Sequence, residues 1–309
     1  MNSKRDEFIS LVVYVRNQEN AITPFLEFAS GYLHKYYHSS EIICVDDCSE
    51  DNSNDMIKKN SERLFDINIT LVTFNSYVGL NKAMNVGVDL SIGDFVIEMK
   101  DCSYDFDEKV MDYMFSKVYE GNDVIFAVNE LGRERVDFNR AFYRIYNFFK
   151  TGNKKIYPDK FRIVSRRAIN KTDRLNCFSP LRILSYLESG FSTENIGYKG
   201  TSKVEKELDS CSRNYFKHLG VDILLMYTNF PTFFVNFIIF LFLTVGVMYM
   251  ALFRDMSVNI YEAIMIGGLF GLGLLCISNS ISIRQKRILF QQKMNEESFI
   301  YYKFEKLGK

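Results

Sequence analysis

Two long runs near the C-terminus, Pro231 to Phe253 and Ala263 to Ile283, contain no Asp, Glu, Lys or Arg. At 23 and 21 residues, each is long enough as a helix to cross a hydrocarbon layer of roughly 30 Å. A core helix of a water-soluble domain normally keeps one polar face, so a helix apolar on every side reads as a membrane span. The nine residues between the runs, Arg254 to Glu262, require a hairpin with both ends on one side of the bilayer. Arg284, Lys286 and Arg287 follow the second run, whereas the loop holds only Arg254 beside Asp255. Basic residues favour the cytoplasmic side, so the large N-terminal part and both termini are expected there, on a multi-pass inner-membrane protein. Met1 to Glu7 is polar and the apolar run from Phe8 is brief, so no export signal is expected. Gly267, Gly268, Gly271 and Gly273 offer a face on which the first span could pack closely.

Charge narrows the rest. Lys plus Arg and Asp plus Glu each number 38, a formal net charge of zero, so no global field draws the chain to nucleic acid. The six cysteines (Cys44, Cys48, Cys102, Cys177, Cys211 and Cys276) lack the paired spacings of a disulfide framework or a zinc knuckle. His34, His38 and His218 are too dispersed for a histidine metal site.

Before the apolar runs, short β-rich segments alternate with helical spacing. Ile9–Val15, Glu41–Val45, Ile69–Phe74, Phe95–Met99 and Asp123–Val128 read as buried strands. Asn20–Tyr37, Asn52–Phe65, Gly79–Ser91 and Asp107–Glu120 read as the helices between them. This order predicts an α/β, Rossmann-like domain with a mainly parallel sheet, whose ligands bind beyond the carboxyl ends of the strands. Asp46 and Asp47 follow the second strand and can accept hydrogen bonds from a base or ribose, or serve a turn. Gly79 opens the helix that carries Lys82 and Asn85, and free amides at such a start suit a diphosphate.

The order VDDCSEDNS then VGLNKAMNVGVDLSIGDFV, with Arg133-Glu134-Arg135 before Arg140-Ala141-Phe142-Tyr143-Arg144, extends across the chain. It continues through Phe161-Arg162-Ile163-Val164-Ser165-Arg166, Gly190-Phe191, Tyr198, Ser202-Lys203 and Phe230-Pro231. This pattern resembles family 2 glycosyltransferases of the GT-A fold, the group that includes dolichyl-phosphate mannose synthase and bacterial polyprenyl-phosphate glycosyltransferases. The resemblance implies a GT-A domain over residues 1–205, an amphipathic juxtamembrane segment over 206–230, spans at 231–253 and 263–283, and a cytoplasmic tail from 284 to 309. It also implies transfer of a sugar from a nucleotide-sugar donor to polyprenyl phosphate for a cell-surface glycan. Asp46 and Asp47 are then expected at the nucleoside, and Gly79, Lys82, Asn85 and Lys100 at the donor diphosphate. Arg133, Arg135, Arg162 and Lys203 are expected at the acceptor phosphate, where an arginine fork is well suited. Similar proteins often self-associate, so a homo-oligomer is an expectation too.

Two departures from the family pattern concern the acids. A DxD motif is expected after the fourth strand to hold Mg2+ or Mn2+, but Lys100 and Cys102 stand where its two acids belong and Asp101 lies between them. Three readings stay open. Glu98 and Asp101 hold the metal, Asp105-Phe106-Asp107 is a displaced DxD, or Lys100 offsets diphosphate charge without a metal. Before Phe161 the family's usual acids align with Tyr157 and Lys160, leaving Asp159, with Asp101, as the expected catalytic carboxylate. The alternative to transfer is a catalytically impaired binding or scaffold protein of the same fold.

Overall fold

The computed structural model describes residues 4–64, 66–130, 138–150, 155–174, 181–200, 218–224, 227–228, 230–252 and 302–307, with short pieces (267–269, 271–273, 275–280, 282–284 and 286) of the second apolar run. The chain divides into two compact units, residues 1–137, 156–215 and 299–309 in the first and 138–155 and 216–298 in the second.

The first unit is built on β1 (Arg5–Val15), α1 (Glu19–Tyr36), β2 (Tyr37–Asp46), α2 (Ser53–Arg63), β3 (Asn68–Phe74), α3 (Leu80–Leu90), β4 (Phe95–Met99), α4 (Glu108–Tyr119) and β5 (Val124–Asn129). After a helix of the second unit, α5 (Phe138–Phe149), it resumes with β6 (Phe161–Ser165), α6 (Arg166–Arg174), α7 (Arg182–Glu188) and β7 (Thr193–Tyr198). The second unit also contains α8 (Phe230–Leu252), and the first unit closes with β8 (Tyr302–Leu307).

One eight-stranded sheet runs in the order β7-β5-β6-β4-β1-β2-β3-β8. β1 pairs in parallel with β2 and β4, and β2 with β3, so these carboxyl ends share one sheet edge. Ile9 to Val15 is buried without a break, as a strand covered on both faces requires. Leu11, Val13, Ile97 and Ile163 face a core formed with α1, α2 and α4 through Phe25, Ile57 and Phe115. On the opposite face α3 lies so close that a Cβ on Gly87 would meet Val45 Cγ2 at 2.5 Å and Val12 Cγ1 at 2.6 Å.

The five strands expected from the sequence are present, but the sheet is more mixed than expected. β6 is antiparallel to both β4 and β5 and sits between them. Its alternation sends Phe161 and Ile163 into the large core and leaves Arg162 on the opposite face, directly across from Glu98. The expected tail is also partly sheet, since β8 pairs antiparallel with β3 from Ile69↔Leu307 to Phe74↔Tyr302. Its half-exposed YKFEKL pattern, with Lys303 and Glu305 among apolar residues, resembles a polar tail when read alone.

In the second unit, α8 coincides with the first apolar run to within a residue at each end and exposes Phe233, Phe234, Phe237, Phe240 and Met248. α5 packs against it through Phe149, whose ring lies 5.1 Å from those of Phe230 and Phe233. Among the described residues one helical stretch, Gly267–Arg284, is long and apolar enough to cross a membrane by length and composition. The connecting loop at 254–262 and the segment at 201–217 lie outside the described residues.

Candidate active site

Three loops meet at the carboxyl edge of the parallel strands. After β2, the Asp47 N–H donates to the Val15 carbonyl at 3.0 Å, turning the chain toward α3. The Asp47 carboxylate accepts the N–H groups of Val78 (2.8 Å) and Gly79 (2.9 Å) and the hydroxyl of Tyr14 (2.8 Å). Asp46 accepts from the Ser49 N–H at 3.3 Å and Asn54 Nδ2 at 3.0 Å. Both aspartates are fully buried at 0% exposure. Burial pushes both carboxyls above the usual range, against the pull of these hydrogen bonds.

In this arrangement Asp46 and Asp47 are buried and brace the loop that leads into α3, the turn role that their position also allowed. The Gly79 amide is likewise spent on Asp47 and is not free for a diphosphate. Gly79 is nevertheless required by its backbone, at φ 88° and ψ 152°, a conformation nearly closed to L side chains. Arg16 was not anticipated at this edge. It donates to the carbonyls of Asp47 (2.7 Å) and Cys48 (2.9 Å) and lies 4.6 Å over the Tyr77 ring. Lys82, half-buried, is in the first turn of α3.

The loop after β4 is clasped to the segment before β6 by two crossed ion pairs. Lys100 Nζ donates to Asp159 Oδ1 at 2.7 Å and to the Asp159 carbonyl at 2.9 Å. Lys160 Nζ donates to Asp101 Oδ2 at 2.9 Å. Asp101 Oδ1 accepts the N–H (2.9 Å) and hydroxyl (2.7 Å) of Ser103. Cys102, between them, is buried, with its N–H on Gln18 Oε1 at 2.9 Å.

Beneath the clasp, Glu98 anchors two guanidiniums. Arg182 Nη2 donates to Glu98 Oε1 at 2.8 Å and Nε to Oε2 at 3.2 Å, and the Tyr186 hydroxyl also donates to Oε1. Arg162 Nε lies 3.6 Å from Glu98 and 3.0 Å from Asp159 Oδ2, the latter off the hydrogen-bonding direction. Arg162 Nη1 is buried without a hydrogen-bond partner. Asn85 accepts from Arg182, which ties α3 to α7. Burial alone would raise the Glu98 carboxyl, but Arg182 and Arg162 hold it down to about 2. Burial opposes the guanidinium charges, yet Asp159 and Glu98 together leave Arg162 above the usual arginine value, and Glu98 does the same for Arg182. Burial lowers the Lys100 ammonium, offset in part by Asp159.

These contacts decide how well the expected metal ligands fit a divalent ion. Such an ion needs several free oxygen ligands. Glu98 is held by Arg182, Arg162 and Tyr186, and Asp101 by Lys160 and Ser103. The displaced alternative fails as well, because Asp105 accepts from Tyr198 at 2.7 Å and from Asn129, while Asp107 caps α4 through the Lys109 N–H. Among the described residues no group of three or more His, Cys, Asp or Glu could hold a metal ion. Among the described residues, the carboxylates so engaged do not present the free oxygens that Mg2+ or Mn2+ needs. Asp159, the other expected catalytic acid, is 6% exposed, with Oδ1 accepting from Lys100 and Oδ2 lying 3.0 Å from Arg162 Nε without a hydrogen bond. Arg133, Arg135 and Lys203 lie outside the described residues.

The profile of the family described as Glycosyl transferase family 2 matches residues 10–173, more than half of the chain. The chain belongs to this family. Its mixed α/β sheet is the GT-A fold. Among its relatives, the uncharacterized glycosyltransferase YkcC of Bacillus subtilis is 21% identical over 87% of this chain and 85% of that protein. The bactoprenol glucosyl transferase of Shigella phage SfX is 27% identical over 63% of this chain and 65% of that protein. The chain spans about half the length of other bactoprenol glucosyl transferases that it matches. A mannosyltransferase from Pyrobaculum calidifontis, solved with GDP-Man and Mn2+, aligns with a TM-score of 0.47 at 14% identity, over 72% of this chain and 63% of that one.

Within this family 2 glycosyltransferase domain, the structure brings together Glu98, Lys100, Asp101, Asp159, Arg162 and Asn85 of the expected residues, and adds Lys160, Arg182 and Tyr186. Arg182 and Tyr186 stand at i, i+4 on α7, spacing that lets both side chains grip one carboxylate. That Arg-x-x-x-Tyr pair, in an otherwise apolar ILSYL setting, is the signal that could have marked them.

Proposed function

We propose that this chain is a membrane-attached glycosyltransferase that moves one sugar from a nucleoside-diphosphate donor to a polyprenyl phosphate. The observation that carries this reading is the basic cluster of Lys100, Lys160, Arg162 and Arg182 at the carboxyl edge of a family 2 glycosyltransferase sheet. Both partners of such a reaction are phosphates, and the bactoprenol glucosyl transferase relatives name a lipid carrier. In the reaction, the bond from the anomeric carbon to the donor's phosphate oxygen breaks and that oxygen departs with the electron pair. An oxygen of the acceptor phosphate forms the new bond. The acceptor is already ionised near neutral pH, so a general base is not required. Asp159 is therefore assigned to positioning Lys100 and Arg162. Arg162 is assigned to the acceptor phosphate with Arg133, Arg135 and Lys203, and Lys82 to the donor.

Two features support a hairpin anchor with both ends of the chain on one side of the membrane. α8 is a 23-residue helix without a formal charge, and Gly267–Arg284 is long and apolar enough to cross a membrane by length and composition. β8 lies in the same sheet as β1, so the chain must return after residue 252 to the side from which it left, which requires an even number of crossings. Anchoring would keep the site at the surface where the lipid phosphate lies, giving a high local concentration of acceptor.

The test is to incubate membranes containing the chain with labelled nucleotide sugars and polyprenyl phosphate, then extract the lipid. Label should enter the lipid phase only when polyprenyl phosphate is supplied. The altered DxD favours a second reading, a donor-binding or scaffold protein without transfer, and donor binding with no labelled lipid would establish it. Neither binding nor transfer with any common donor overturns both readings.

A further inference from the structure

We infer that the donor diphosphate is neutralised here by ammonium groups, Lys100 foremost, in place of a divalent cation. The inference rests on the nucleotide-sugar reading given above and names how that same site handles charge. It starts from the loop after β4, where Lys100 and Cys102 occupy the two positions of the acids in the resembled family. The nearest carboxylates each face a cation: Asp101 accepts from Lys160, Asp159 accepts from Lys100 through Oδ1 and holds Oδ2 3.0 Å from Arg162 Nε without a hydrogen bond, and Glu98 pairs with Arg182 and Arg162. Each of these carboxylates already faces a cation, whereas the ammonium heads of Lys100 and Lys160 are partly exposed, a distribution that suits a diphosphate better than a divalent cation.

The cations are also the accessible partners. The Lys100 and Lys160 side chains are 24% and 35% exposed, against 1% for Asp159 and 22% for Asp101. An ammonium has three donors; Lys100 commits two to Asp159 and retains one for an incoming oxygen. Asp159 fixes where that ammonium sits, so little reorganisation is needed as the leaving diphosphate gains charge.

The full chain, purified in detergent, can be titrated calorimetrically with UDP, GDP, ADP, CDP and dTDP in turn, in EDTA and again with Mn2+. At least one should bind, with a Kd that changes by less than about threefold between the two buffers. Lys100→Met should weaken binding by about tenfold or more in both, whereas Lys100→Arg stays near wild type. Restoring the acids together, Lys100→Asp with Cys102→Asp, should make binding depend on Mn2+. Binding that EDTA abolishes and Mn2+ restores overturns the inference and leaves the proposed function standing. Failure of every nucleoside diphosphate to bind in either buffer overturns the donor reading itself, and the inference with it. The wild-type comparison holds even if a variant fails to fold. Where Lys100→Met is folded by circular dichroism yet binds like wild type in EDTA, Lys100 is not the neutralising group.

Discussion

Removing Arg182 should expose how much of the first unit's stability depends on one buried carboxylate. Glu98 is 1% exposed and its carboxyl is lowered from 4.5 to about 2, mainly by Arg182 and Arg162 working against burial. That drop corresponds to roughly 3 kcal/mol favouring the folded state wherever Glu98 is ionised in both states. Because the folded value is depressed, the contribution is complete above the unfolded value near 4.5 and is lost as pH falls from there towards about 2. Arg182→Met deletes the donors at 2.8 and 3.2 Å and leaves Glu98 with Arg162 at 3.6 Å and the Tyr186 hydroxyl. Breaking a buried pair by removing one member costs about 3–5 kcal/mol, and the surviving Arg162 puts this case near the low end, about 3 kcal/mol. Urea denaturation of detergent-solubilised protein should show that difference at pH 7. The gap between wild type and Arg182→Met should then narrow as pH falls below about 4.5, since protonated Glu98 no longer needs the guanidinium. Adding Glu98→Leu to Arg182→Met should recover much of the loss, because no uncompensated charge remains buried. A gap below about 1 kcal/mol at neutral pH, or one as wide at pH 3 as at pH 7, would refute the reasoning.

Gly79→Ala, at φ 88°, should cost about 1–3 kcal/mol and lower the thermal midpoint by several degrees in a scanning melt. Asp47→Ala orphans the N–H groups of Val78 and Gly79 and the Tyr14 hydroxyl, a loss of about 3 kcal/mol or more, and should speed amide exchange at Val78 and Gly79. Deleting residues 302–309 uncovers the edge of β3, where Leu71 and Val72 are buried, so size-exclusion profiles should shift towards aggregates. An unchanged monodisperse peak would mean that β8 is dispensable as an edge cover.

The parallel strands were legible because Ile9–Val15 and Phe95–Met99 are short apolar runs bounded by turn residues, a pattern set by local burial on both faces. The direction of β6 was not, since FRIVS reads the same whichever way it is threaded and only its partners β4 and β5 determine the pairing. β8 escaped because an edge strand with one exposed face can hold Lys303, Glu305 and Lys306 and so looks like a solvated tail. Of the residues singled out by type, Lys100, Asp101 and Arg162 come together between the loop after β4 and the start of β6, whereas Asp46 and Asp47 are buried in the loop that leads to α3. An aspartate that accepts backbone amides within a loop and one that accepts from a nucleoside have the same sequence signature. Burial separates them, and burial is a property of the fold.

Three of the four departures from the acidic pattern cease to be independent losses once the loops are seen side by side. Read along the chain, Lys100 and Cys102 each remove an acid from one loop, and Lys160 removes another from a second loop 60 residues on. In space, Lys100 meets Asp159 and Lys160 meets Asp101, so each lysine sits opposite a remaining acid of the other loop. A lysine in only one loop would leave a carboxylate of that clasp without its cation, and burying an unpaired charge such as Asp159 is costly. Exchanged together, they make two ion pairs that pin the loops and turn their accessible heads from acidic to basic. On the proposed reading, loops that carry acids in the resembled family present ammonium heads here, and a preference for an anionic ligand follows from that exchange.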